Sequence, residues 1–161
     1  MENNIFENNM QIEMDAVSEN EALARIAVSG FLTSIDPTLE ELDEIKTAVS
    51  EAVTNSIIHG YEEQNGKIVL RGKLTRKTSQ KKSEHLKTDS LIVLEVEDFG
   101  KGIENVSKAR EPLYTTKPET ERAGMGFLFM EMFMDSLDIT SVPGKGTKVI
   151  MKKTIKRDKA V

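Results

Sequence analysis

Apolar residues recur along this chain in two rhythms, one of two residues and one close to 3.6, and their succession divides it into strands and helices. Met10 to Met14 alternates and predicts a first strand, behind a polar tail over Met1 to Asn9. Ser18 and Glu21 have capping-box spacing, so a helix is expected to open there, with Leu23, Ile26, Ala27 and Phe31 as its apolar stripe. It should end before Asp36-Pro37, because a residue before proline is pushed out of helical geometry. A second capping box, Thr38 to Glu41, predicts a longer helix to about His59, with Leu42, Ile45, Val49, Ala52, Val53 and Ser56 on its buried side. Gly60 is its expected stop.

Lys67 to Leu74 and Leu91 to Asp98 read as two further strands. Between them, Thr75 to Ser90 is polar and carries Arg76, Lys77, Lys81, Lys82 and Lys87, which reads as a basic insertion loop. A short helix is expected near Asn105 to Arg110, then an irregular stretch from Glu111 to Ala123, then a helix from Gly124-Met125-Gly126 to about Met134. Leu137 to Val142 and Thr147 to Ile155 are predicted strands joined by Pro143-Gly144-Lys145-Gly146, a hairpin signal. Helices and strands do not alternate strictly, and the last pair is hairpin-joined. The expected fold is therefore an α/β (α+β) two-layer sandwich, with a mixed, mostly antiparallel sheet and helices on one face, built as a single domain over 1–161.

Composition narrows the function. The 161 residues are 38% apolar and 30% charged, as in a globular domain. The absence of cysteine excludes disulfides and thiolate metal sites, and His59 and His85 are too few for most zinc sites. A net charge of −5 argues against general nucleic-acid binding, and leaves the basic insertion as a weak argument for it. No apolar run reaches the ~18–20 residues that cross a bilayer, and the N-terminus lacks a signal-peptide pattern. The expected location is the cytoplasm, away from membranes.

Four short elements carry candidate chemistry. Glu51 and Asn55 lie four apart on the long helix, one above the other at the edge of its apolar stripe. A carboxylate there can accept a proton, and an amide oxygen can ligate a hard cation such as Mg²⁺. Asp98 ends the alternating row Ile92, Leu94, Val96, so it points toward the helices and needs donors. Gly100 and Gly102 follow it and allow a tight turn. Gly124, Met125 and Gly126 open a helix whose free amides suit phosphate, after a loop with Thr115, Thr116, Lys117 and Arg122. Gly146-Thr147 is the fourth element. The sequence has no GxxxxGK[ST] and no GxGxxG, and Asp98-Phe99-Gly100 lacks the upstream lysine and catalytic loop of a eukaryotic-type kinase.

In this order and spacing, the four elements resemble the nucleotide site of the gyrase, Hsp90, histidine-kinase and MutL superfamily, with its Bergerat-type ATP-binding fold. Glu51 and Asn55 match its ExxxN, Asp98, Gly100 and Gly102 its DxGxG, and Gly124 and Gly126 its second glycine box. Leu42 to Tyr61 and Ala109 to Phe127, with Thr115-Thr116-Lys117-Pro118, are more specifically similar to the anti-sigma F factors of sporulation. Thr75 to Ser90 departs from that family, which usually has a short turn there.

The resemblance implies a serine kinase that binds a sigma factor, phosphorylates an anti-anti-sigma factor with Mg-ATP, and forms a homodimer. It makes Glu51 the general base, Asn55 the Mg²⁺ ligand and Asp98 the adenine contact. Thr115, Thr116, Lys117 and the second glycine box would close over the phosphates, with Gly100, Gly102, Met125 and Thr147 completing the ATP/ADP site. Glu21 and Arg25 would meet the protein partners. Two alternatives share the motifs: a general-stress anti-sigma kinase, and a nucleotide-gated binding module without catalysis.

Overall fold

The computed structural model describes residues 3–80, 85–114 and 124–160. Its sheet follows from the period-two rows. Strands β1 (Asn3–Asp15), β2 (Lys67–Gln80), β3 (His85–Asp98), β4 (Ser136–Val142) and β5 (Gly146–Ala160) lie in the order β1-β2-β3-β5-β4. Every neighbouring pair is antiparallel. Ile68, Leu70 and Leu74 stand beside Ile92, Leu94 and Val96, and these beside Val149, Met151 and Ile155, all buried on one face.

Among the described residues, four α-helices accompany the sheet: α1 (Glu19–Leu32), α2 (Leu39–Asn55), the short α3 (Val106–Ala109) that follows β3, and α4 (Gly126–Phe133). Helices α1, α2 and α4 supply apolar residues to the same core, among them Val28, Val49, Val53 and Met130. A fully buried side chain of this kind is worth roughly 1.5–3 kcal/mol. The opposite sheet face is laced with charge: Arg71 pairs with Glu95 and Glu97, and Lys148 approaches both carboxylates at 3.5 Å.

The second capping box forms as expected: the Thr38 hydroxyl accepts from the Glu41 amide, and the Thr38 N–H donates to Glu41 at 2.8 Å. The first does not. Ser18 has helical geometry and no side-chain cap bond. Helix α1 is also turned relative to its predicted stripe, burying Ala24, Val28, Phe31 and Leu32 and leaving Ile26 70% exposed.

Two larger corrections concern one end of the sheet. Asn3 to Asn9 is no tail but the first half of β1, paired from Asn3 opposite Ser79. Thr75 to Ser90 is no loop either. Its described residues continue β2 and β3, with Thr75 opposite Leu91 and Gln80 opposite Leu86, and β5 runs alongside as far as Ala160 opposite His85. Backbone ladder bonds rather than apolar burial organise this extension, so its polar side chains conceal it.

Candidate functional site

The site forms where α2 ends against the end of β3. After Asn55 the helix widens into a π-turn, Ser56–Gly60, closed by the Tyr61 amide donating to the Ser56 carbonyl at 3.0 Å. Such bulges re-aim side chains and recur at functional sites. Here the bulge sets Ser56 against Asp98, whose Oδ2 accepts from the Ser56 hydroxyl at 2.8 Å. Asp98 Oδ1 accepts from the amides of Gly100, at 3.0 Å, and Thr147, at 3.2 Å. Burial pushes the Asp98 carboxyl above its ordinary value, and these three donors pull against that shift. A carboxylate offers about four lone-pair positions, so three internal donors leave roughly one for a ligand.

The glycines have separate jobs. A Cβ on Gly100 would stand 2.0 Å from the Gly60 carbonyl oxygen, so the turn after Asp98 packs directly on the end of the π-turn. Gly102 and Gly124 have left-handed φ of 73° and 67°, which favours glycine at both. Gly126 opens α4, and a Cβ there would stand 3.2 Å from a Glu51 carboxylate oxygen and 3.3 Å from both polar atoms of the Asn55 amide. The amino end of α4 thus lies close against these two side chains, and a larger residue at 126 would have to displace them slightly.

A cavity of about 750 Å³ opens between these elements. Asn55, Asp98, Gly102, Gly124, Gly126 and Thr147, all singled out in the sequence, line it. Glu51, Gly100 and Met125 do not. Glu51 faces Gly126, Gly100 faces Gly60, and Met125 is the residue that caps α4. Thr115, Thr116 and Lys117 lie outside the described residues. Glu21 and Arg25 stand apart from the cavity on α1, 3.9 Å from each other. Glu21 also accepts from the hydroxyl of Ser50, the α2 residue before Glu51.

The Asn55 amide oxygen is buried and has no hydrogen-bond partner. An orphaned acceptor beside a helix amino end fits a cation or donor brought by a ligand. Among the described residues, no cluster of three His, Asp or Glu could hold a metal alone. That donor set suits Mg²⁺, which usually takes few protein ligands and completes its shell with phosphate oxygens and water.

Three contributors were not singled out as site residues. Ser56 carried a signal, a hydroxyl within an apolar stripe. Tyr61 carried none; its hydroxyl donates to the Lys67 carbonyl and accepts from the Phe99 amide, fixing the turn after Asp98. Ser141 carried none either, and its hydroxyl joins Ile103 and Thr147.

A one-sided antiparallel sandwich with a polar cleft at a helix amino end has the layout of a phosphate-ligand-binding class of protein. Residues 14–153 match the histidine kinase-like ATPase domain, and the chain belongs to that family. Within it the chain belongs with the anti-sigma F factors. It is 54% identical over 148 residues to the anti-sigma F factor of Clostridium perfringens strain SM101, covering 92% of this chain and 97% of the relative. It is 49% identical over 157 residues to that of Oceanobacillus iheyensis, covering 97% and 99%. A crystal structure of the RsbU and RsbW domains of a Mycobacterium tuberculosis protein has the same fold, with TM-score 0.51 and 16% identity, over 93% of this chain and 32% of that longer one. No helix among the described residues is long and apolar enough to cross a membrane.

Proposed function

We propose that this protein binds and inhibits the sporulation sigma F factor, and uses Mg-ATP to phosphorylate a serine of an anti-anti-sigma factor. The observation that carries the reading is the orphaned Asn55 oxygen, one helical turn from Glu51 and directly under the amino end of α4. The names of the relatives support the sigma factor as partner.

Mg-ATP, when bound, supplies the phosphoryl group and the metal charge that offsets its oxygens. The chain's own residues then have defined tasks. Asp98 offers its remaining lone pair to the adenine amine and holds its orientation through Ser56, Gly100 and Thr147. Asn55 would hold the metal through its unpartnered amide oxygen. The amino end of α4 would offer its free amides to the phosphates, and the family resemblance assigns further donors to Thr115, Thr116 and Lys117. Glu51 accepts the proton of the attacking serine hydroxyl. Such a reaction asks the protein mainly for positioning and charge neutralisation. Glu21 and Arg25 present the partner-binding face, and the protein acts in the cytoplasm as a homodimer.

The test is single-turnover phosphorylation of a purified anti-anti-sigma domain, read as phosphoserine by mass spectrometry. Wild-type protein should transfer phosphate. Glu51→Gln should keep ATP affinity and slow transfer by ~10²–10⁴-fold. Wild-type protein that binds ATP and yields no phosphoserine would instead identify a nucleotide-gated binding module.

A further inference from the structure

Lys153 breaks the pattern of β5. The inward row of that strand runs Thr147, Val149, Met151, Lys153, Ile155, and the other four are buried. The Lys153 side chain is itself only 14% exposed. An ammonium so placed needs partners, and it has two from different helices. Its Nζ donates to the Glu44 carboxylate of α2 at 2.7 Å and to the backbone carbonyl of Phe133, the last residue of α4, at 2.6 Å.

Helix α4 has no basic residue in its own last turn. Lys153 therefore supplies, from the sheet, the cation that a helix carboxyl end favours. The same contact fixes the spacing of α4 from α2. Both helices run from this clamp to the cleft. Glu44 lies two turns before Glu51 on α2, and α4 spans about 12 Å from Phe133 back to Gly126. At the far end, Gly126 sits close to Glu51 and Asn55, where an added Cβ would stand 3.2–3.3 Å from their polar atoms and push them by a few tenths of an ångström. A tilt of α4 about its packed middle would change that gap directly.

We propose that Lys153 is a positioning residue for the nucleotide site. It pins the carboxyl end of α4 to α2, so that the amino end is held in register with Glu51 and Asn55. The proposal rests on the nucleotide reading above, and it predicts where the effect falls. Adenine recognition belongs to Asp98 on β3, which the clamp does not touch, whereas phosphate recognition belongs to α4. Loss of the clamp should thus weaken the phosphate part of the ligand selectively.

Titration of the full chain with Mg-ATP and with AMP tests this. Lys153→Met should weaken Mg-ATP by at least about tenfold, a scale on which small displacements of positioning groups act. AMP affinity should change less than about twofold, and Lys153→Arg should restore most of the Mg-ATP affinity. If Lys153→Met does not fold, Glu44→Ala decides, because it removes the α2 anchor from a more exposed position; it should show the same selectivity. Unchanged Mg-ATP affinity in a folded variant, or equal losses for ATP and AMP, would overturn the clamp alone. Wild-type protein without ATP affinity would overturn the nucleotide reading, and the clamp with it.

Discussion

Asp98 receives donors from three elements at once: Ser56 of the π-turn, Gly100 of its own turn, and Thr147 of β5. The position was legible in the sequence because period two carries the apolar row straight into a carboxylate. Its partners were only partly so, since the π-turn that delivers Ser56 has no sequence signature. Burial raises the folded pKa of Asp98 above its unfolded value near 3.8. The native state then binds more protons than the unfolded state between those two values, so this group costs stability as pH rises through that window. Asp98→Asn removes the cost and keeps an oxygen for the two amides. The variant should melt no lower than wild type at pH 7 and should lack this pH dependence in a calorimetric series. Its ATP affinity should fall at least about tenfold, since hydrogen bonds to charged groups contribute ~1.5–3 kcal/mol. Normal ATP binding by the Asp98→Asn protein would exclude the adenine contact.

At the scale of elements, the strongly periodic segments were readable and the polar ones were not. The core rows of β2, β3 and β5 show their period because one face is buried. Asn3 to Glu7 and Thr75 to Ser79 pair with each other, and their only apolar residues, Ile5 and Phe6, are adjacent, so alternation disappears. Replacing Thr75–Ser90 by an Asn-Gly turn would leave half of β1 and the end of β5 without ladder partners. We expect a melting temperature at least about 4 °C lower, corresponding to roughly 1–2 kcal/mol in a domain of this size, with ATP affinity preserved because Asp98 lies at the other end of β3. Equal melting temperatures would mean that the extension contributes nothing to the fold.

The extension also ties down α2. Arg157, on β5, holds Glu41 through both terminal nitrogens, and that bond keeps the Glu41 carboxyl below its ordinary value. A depressed folded pKa gives stability that is present above the unfolded value and lost as pH falls through the folded one. Arg157→Ala should therefore cost roughly 0.5–1 kcal/mol near pH 7. Denaturant titrations of the two proteins should converge as the pH falls through the lowered folded pKa of Glu41, below the ordinary carboxylate range. A pH-independent difference would assign the effect to packing.

Across the whole molecule, the uncovered sheet face carries the Arg71–Glu97 network, while the covered face leads into the cleft. The order of the four sequence elements anticipated that cleft because each lies at an element end that the fold brings to one place. What spacing could not show is which residues face ligand and which face one another, as with Gly100 against Gly60. The proposed metal role of Asn55 rests on its buried oxygen, which has no hydrogen-bond partner. Calorimetric titration with ATP, in the presence and absence of Mg²⁺, is its most direct test. Wild-type protein should bind with an affinity that Mg²⁺ raises, and Asn55→Ala should lose that Mg²⁺-dependent gain while melting as a folded domain. An Asn55→Ala protein with the wild-type Mg²⁺ dependence would contradict the assignment.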